Sequence, residues 1–174
     1  IAVTGDAIKK TAHMRFPRSV NLTPQTYHAV VHDVTLSAAD AGFRNIFIMG
    51  DHGDEHDVLA AVAKELDARW RPRGVRVFYV PDAYFKPKEQ AHAYEASHGI
   101  TTHDVHAGTD DTSELMALDA PHPRIRGDKL APSTGPQPAN PGVDGDPPQA
   151  EDRPGDIHLQ LRRLHYLKLF VNQY

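Results

Sequence analysis

Residues 45–80, NIFIMGDHGDEHDVLAAVAKELDARWRPRGVRVFYV, decide how this chain folds. Asn45 to Met49 is a continuous apolar run of strand length, the pattern of a strand buried on both faces, and Val75 to Val80 is a second. Between them Val58, Leu59, Val62 and Leu66 recur at helical spacing, Trp70 closes the stripe and Gly74 supplies the stop. Strand, helix, strand with short connections is a βαβ unit, whose crossover makes the two strands parallel. The fold class is α/β.

Working outward, Thr23-Pro24 reads as an N-cap followed by Pro at the first helical position. The helix it opens has Tyr27, Val30, Val31, Val34, Ala38 and Ala41 as its expected core stripe and stops at Gly42. Ile1 to Thr4 is a short strand candidate at the start of the chain. Downstream, the spacing predicts a helix over Lys86 to Ser97, ended by Gly99. Another is predicted over Asp111 to Leu118, with Asp111 as cap and Glu114 completing a capping box. Nine of the 14 prolines fall between Pro121 and Pro154, so residues 120–155 are expected to hold no regular element. That Pro/Gly-rich segment reads as a flap over a pocket or an arm on a neighbouring subunit. Ile157 to Val171 returns to helical spacing, with apolar residues on more than one face, a breadth that an oligomer interface would bury.

A length of 174 residues fits one domain, 1–174. The 19 Lys and Arg against 23 Asp and Glu give a net charge of −4, which argues against a nucleic-acid partner. With no Cys, disulfides, thiolate metal sites and cysteine nucleophiles are excluded, and a metal would need N and O ligands. No apolar run has the length of a membrane span and the first residues lack the order of a secretory signal, so the expected location is the cytoplasm, with no membrane partner.

Two stretches carry candidate chemistry. The first, GDHGDEHD (Gly50 to Asp57), stands between a parallel strand and the next helix, at the strand ends where α/β proteins bind ligands. His52 and Asp54 offer imidazole and carboxylate to zinc or manganese, and Asp51, Glu55, His56 and Asp57 crowd beside them. The competing reading is that these acids complement the dipole of the helix they open. The second stretch is THDVHAGTDDTSE (Thr102 to Glu114), in which His106 precedes Ala107-Gly108, placing an imidazole beside accessible backbone as a general acid or substrate anchor.

Tyr84 and Phe85, at the carboxyl end of the second strand, could stack on a flat substrate or pack under a loop. His28 and His32 lie four apart on a helix and could chelate, but no acid is patterned with them, so they read as surface or rim. Ser113 lacks a nucleophile elbow, and no glycine-rich nucleotide motif follows a strand. A phosphate at the helix after NIFIM would face Asp51, Asp54 and Glu55.

Taken together, His13-Met14-x-Phe16-Pro17, LTPQTYHAVVHDV, GFRNIFIMGDHG and VHAGTDDTSELMALDAP, with Gly145-Asp146-Pro147 more loosely, resemble the creatininase (creatinine amidohydrolase) family. The resemblance implies a three-layer α/β/α sandwich around a mostly parallel sheet, assembled as a homohexamer. It also implies a two-metal centre of zinc or manganese that activates water to hydrolyse a C–N bond in a small cyclic amide or related molecule. By motif position His52 would be a metal ligand, Asp54 stands where the family has Glu or Gly, and His106 would be the catalytic, substrate-contacting histidine. The family's Glu-x-His-Gly strand and a later Asp would lie upstream of Ile1, as expected of a fragment. The Glu that the family often has after HAG, a metal ligand in several of its branches, is replaced by Thr109, and the family's Phe-Pro-Gly-Thr by Phe16-Pro17-Arg18-Ser19. These departures define the alternative, a non-catalytic binding or structural subunit on the same fold.

Overall fold

A computed structural model of the chain describes residues 2–3, 14, 16, 19–101, 104–118, 131–132 and 144–146. Their elements are β1 (Ala2–Val3), β2 (Asn21–Leu22), α1 (Pro24–Asp40), β3 (Asn45–Ile48), α2 (His56–Trp70), β4 (Arg76–Tyr79), α3 (Asp82–Ser97), β5 (Asp104–His106), α4 (Thr109–Leu118) and β6 (Asp144–Gly145). The chain divides into two compact units, one over Ile1–Met14 and Arg18–Tyr84, the other over Arg15–Pro17 and Phe85–Tyr174.

In the first unit β3 and β4 pair in parallel, Asn45 opposite Arg76 through Ile48 opposite Tyr79, and β1 pairs in parallel with β2. The βαβ unit read from residues 45–80 is therefore present. Its core is built from Ile48, Leu59, Val62, Ala63, Leu66, Trp70, Val75 and Val77, so the apolar stripe of α2 packs on the strands that flank it in sequence. Leu66 and Val62 have no exposed surface at all. After α2 a short 3-10 turn, Arg71–Arg73, ends at Gly74, whose φ of 75° places it in the left-handed region that favours glycine.

One charged side chain is held inside this unit. Asp67 on α2 accepts hydrogen bonds from Arg76 Nε at 2.7 Å, from the Val77 N–H at 3.1 Å and from the Arg71 guanidinium. Burial pushes its carboxyl up, but the bonds from Arg76, Arg71 and Val77 outweigh burial and hold it well below the ordinary carboxylate value. The cluster ties α2 to the first residues of β4.

Helix α1 starts as expected. The Thr23 side chain accepts from the Thr26 N–H at 3.1 Å, and Pro24 occupies the first turn. Its core face differs from the expected stripe: Tyr27, Val31, Leu36 and Ala39 pack on the core and Thr35 is buried, whereas Val30 and Val34 are 48% and 65% exposed. Thr35 can occupy a core position because its hydroxyl donates to the Val31 carbonyl at 2.7 Å, so no polar atom is stranded.

Helix α3 begins at Asp82, four residues before the predicted start, and runs through Pro87. Its first turn is fixed by packing, with Ala83 buried and the Tyr84 N–H bonded to the Pro81 carbonyl at 3.0 Å. In the second unit β5 pairs antiparallel with β6, a two-residue strand inside the segment where no regular element was expected. Most of residues 120–155 and the expected helix over Ile157 to Val171 lie outside the described residues. No helix among the described residues is long and apolar enough to cross a membrane.

Candidate active site at the turn after β3

The chain leaves β3 through Gly50 and enters α2 at His56, with a 3-10 turn at Gly53–Glu55 between them. Glu55 organises this connection. Its Oε1 accepts from the backbone N–H of Asp51 at 2.8 Å and of His52 at 3.2 Å, and its Oε2 accepts from the Tyr27 hydroxyl at 2.7 Å. The carboxylate thus fills the inside of the turn and ties it to α1. Burial, and then the bond and charge of Glu55, push the Tyr27 phenol far above its usual value.

The same arrangement explains Gly50. A Cβ at that position would stand 2.2 Å from Glu55 Oε1 and 2.6 Å from a methyl of Leu59. Sequence reasoning placed Glu55 only among crowded candidates; its spacing from His52 was the available sign of a reciprocal cap.

His52 is half-buried in extended backbone, with φ −138° and ψ 136°, and its Nδ1 accepts from the Asp54 N–H at 3.3 Å. With Nδ1 as acceptor, a neutral ring carries its proton on Nε2. Ligating a metal through Nε2 would move that proton to Nδ1 and release the cap, which at this length is a weak bond easily given up. Asp54, two residues on, is exposed. These two have the donor chemistry zinc and manganese accept, but no group of three His, Asp or Glu able to hold a metal is found among the described residues. They supply two candidate donors, and the described residues do not complete a metal centre around them.

Around the turn stand three rings. His56 is buried at the start of α2, with its Nδ1 2.8 Å from the Tyr79 hydroxyl and its ring centroid 4.7 Å from that of Tyr84. Burial lowers the His56 pKa, against the opposing charge of Glu55, and raises that of Tyr79, so the pair is held neutral. Tyr84 lies in the first turn of α3, not directly at the strand end as expected. Its hydroxyl is 3.5 Å from where a Cβ on Gly53 would be. The structure therefore brings Tyr84 to the His52–Asp54 turn.

His106 belongs to the second unit, at the end of β5. It is half-buried, and Phe16 meets its ring edge-on, with centroids 5.8 Å apart and planes at 87°. Ala107 takes a left-handed φ of 51°, unusual for a residue with a Cβ, and its N–H is held by Asp111 Oδ2 at 2.9 Å. Helix α4 begins at Thr109, so the expected capping box at Asp111 and Glu114 is displaced: Asp111 sits in the first turn and reaches back. Thr109, at the position where the resemblance leads one to expect Glu, is buried and donates its hydroxyl to the Asp146 carbonyl at 2.9 Å. It acts as a structural tie between α4 and the residue after β6.

The parallel pair and the elaborated turn at its carboxyl edge define an α/β protein with a candidate ligand site at the usual place for that class. A family model described as creatininase, creatinine amidohydrolase, matches residues 8–160, and the chain belongs to the creatininase family. Among solved structures, a crystal structure of creatinine amidohydrolase (creatininase) is similar at 16% identity and TM-score 0.67, over 99% of this chain and 72% of that one. A tryptophan-to-phenylalanine mutant of creatininase, type II, is similar at 16% identity and TM-score 0.66 over the same shares. At such identities the likeness is one of fold. Comparison with curated protein sequences gave no match.

Proposed function

We propose that this chain is a metal-dependent amidohydrolase of the creatininase type, which hydrolyses a C–N bond in a small cyclic amide or related compound. The observation that carries this reading is the family match over residues 8–160, which spans both candidate stretches. In such a reaction water adds to the carbonyl carbon, the C–N bond breaks and the nitrogen leaves with a proton. A zinc or manganese pair supplies Lewis acidity to the water and the carbonyl oxygen when bound. His52 and Asp54 are the donors this chain contributes, and the remaining ligands lie outside the described residues. Tyr84, seated over the turn, offers a phenol and a ring face to a flat substrate. His106 is assigned to carrying the proton to the leaving nitrogen. We place the protein in the cytoplasm as a homo-oligomer, with a hexamer as the family's implied assembly, acting on a small molecule rather than on nucleic acid or a membrane.

The non-catalytic reading is favoured by one observation, the buried and hydrogen-bonded Thr109 where the resemblance leads one to expect Glu. Metal content by elemental mass spectrometry, with creatinine turnover in the presence of zinc or manganese, decides between them. About two equivalents and hydrolysis that is lost in both His52→Ala and His106→Ala, with the metal lost only in the first, are the expected results. Absence of metal and of turnover on creatinine and other cyclic amides would establish the binding subunit instead.

A further inference from the structure

The hydrolytic reading uses Tyr84 but gives no part to the ring beside it, His56. His56 opens the buried stripe of α2 that continues through Leu59, Val62 and Leu66, and only 7% of it is exposed. An apolar side chain would fill that place with no polar atom to satisfy. The imidazole instead has its Nδ1 2.8 Å from the Tyr79 hydroxyl. Tyr79 is itself fixed: it stands opposite Ile48 at the end of β4, and the next N–H, that of Val80, donates to the Ile48 carbonyl at 3.0 Å.

The same imidazole meets Tyr84, with ring centroids 4.7 Å apart and planes tilted by 45°. Rings this close are in contact, so the place of one restricts the place of the other. The Tyr84 N–H bonds to the Pro81 carbonyl, which fixes its backbone in the first turn of α3 but not the torsions of its side chain. The phenol reaches the turn after β3, where its hydroxyl is 3.5 Å from the Cβ position of Gly53. Apart from the neighbours of Gly53 in the chain, no other atom of the described residues lies within 4 Å of that point. The contacts thus run from β4 through the start of α2 to α3, and from there to the turn.

We propose that His56, anchored by Tyr79, is a positioning residue: it seats the Tyr84 phenol against the His52–Asp54 turn and so sets the affinity for a flat cyclic amide, the substrate class of the hydrolytic reading on which this rests. A ring held in place before the substrate arrives loses no rotamer freedom on binding. Its seating therefore acts on binding and not on the step that breaks the C–N bond. Releasing one such side chain, to be ordered again by each substrate molecule, weakens binding about two- to ten-fold.

The test follows creatinine turnover by the full chain with zinc or manganese present and, independently, the Tyr84 signal in fluorotyrosine-labelled protein by fluorine NMR, assigned by its loss in Tyr84→Phe. Tyr79→Phe removes the anchor, and His56→Asn keeps a hydrogen-bonding side chain while deleting the ring. Each should move the Tyr84 signal and raise the creatinine KM about two- to ten-fold with kcat unchanged. In a Tyr84→Ala background neither should raise KM further, because no ring is left to seat. Should His56→Asn not fold, Tyr79→Phe, the loss of one oxygen, carries the same comparison. A Tyr84 signal unmoved in a folded variant, or a KM rise that persists without Tyr84, would overturn the seat. Creatinine that shifts the Tyr84 signal without being hydrolysed, and binds more weakly in His56→Asn, supports the seat and removes the hydrolytic reading alone. Hydrolysis with a KM that neither variant changes removes the seat alone, and a chain that neither hydrolyses creatinine nor shifts its Tyr84 signal overturns the seat as well.

Discussion

Replacing Glu55 by Ala tests whether the turn after β3 is held from within. The wild-type carboxylate accepts three hydrogen bonds, at 2.7 Å from Tyr27, 2.8 Å from the Asp51 N–H and 3.2 Å from the His52 N–H. Hydrogen bonds to a charged group contribute about 1.5–3 kcal/mol each, but water can replace Glu55 at the exposed Asp51 N–H and the His52 bond is long. The expected total loss is therefore about 3 kcal/mol, dominated by the half-buried Tyr27 contact. For a chain of this length each kcal/mol lowers Tm by about 2–4 °C, so the variant should melt about 6–12 °C lower by circular dichroism.

A double-mutant cycle with Tyr27→Phe isolates the hydroxyl–carboxylate pair, for which a coupling of about 1–2 kcal/mol is expected. Coupling indistinguishable from zero, or a Glu55→Ala variant as stable as wild type, would refute the account of Glu55 as the organiser of the turn. Because the His52 N–H also bonds to this carboxylate, the Glu55→Ala variant by itself, rather than the cycle, bears on how firmly the candidate donor is placed.

Two further outcomes are expected, one at the same turn and one at the Asp67 cluster. Gly50→Ala should destabilise the protein by an amount similar to Glu55→Ala, because its Cβ displaces the carboxylate; combining the two should cost clearly less than their sum, as read by thermal melts, although the Leu59 methyl at 2.6 Å keeps it above zero. Asp67→Asn should cost about 2 kcal/mol near neutral pH, a figure reduced for the exposure of Arg71 and Arg76. Since the folded carboxyl sits below its ordinary 3.8, its stabilisation is complete above that value and is lost as pH falls through the folded pKa. The stability gap between wild type and Asp67→Asn, followed by urea unfolding, should narrow below about pH 4; a gap constant down to pH 2 would remove the ionic account.

The two candidate stretches differ in how much of their structure could be read in advance. At GDHGDEHD, strand, turn and helix follow from periodicity and from Gly50, yet the roles within the turn do not. Glu55 looks in sequence like one more exposed acid, and only the fold brings Tyr27 from α1 to its second oxygen. At HAGTDD the helix was expected at Asp111, because an acid followed three residues later by Glu is a strong local cap signal. The structure starts α4 at Thr109 because Asp111 is used instead to hold the left-handed Ala107.

Sequence periodicity alone determined the parallel βαβ core, since an apolar run, a helical stripe and a second apolar run each allow one way to bury their surface. The start of α1 was equally local, a Thr-Pro pair whose capping bond spans three residues. What tertiary packing decided was everything that depends on a partner distant in the chain. It turned α1 so that Thr35 faces inward and Val30 and Val34 face solvent, and it set Glu65 against His28. It also brought Tyr84 over Gly53 and joined Thr109 to Asp146. A helical or strand period records which face is apolar, but it carries no information about which residue of another element will meet a given side chain, and at both candidate sites that meeting sets the chemistry.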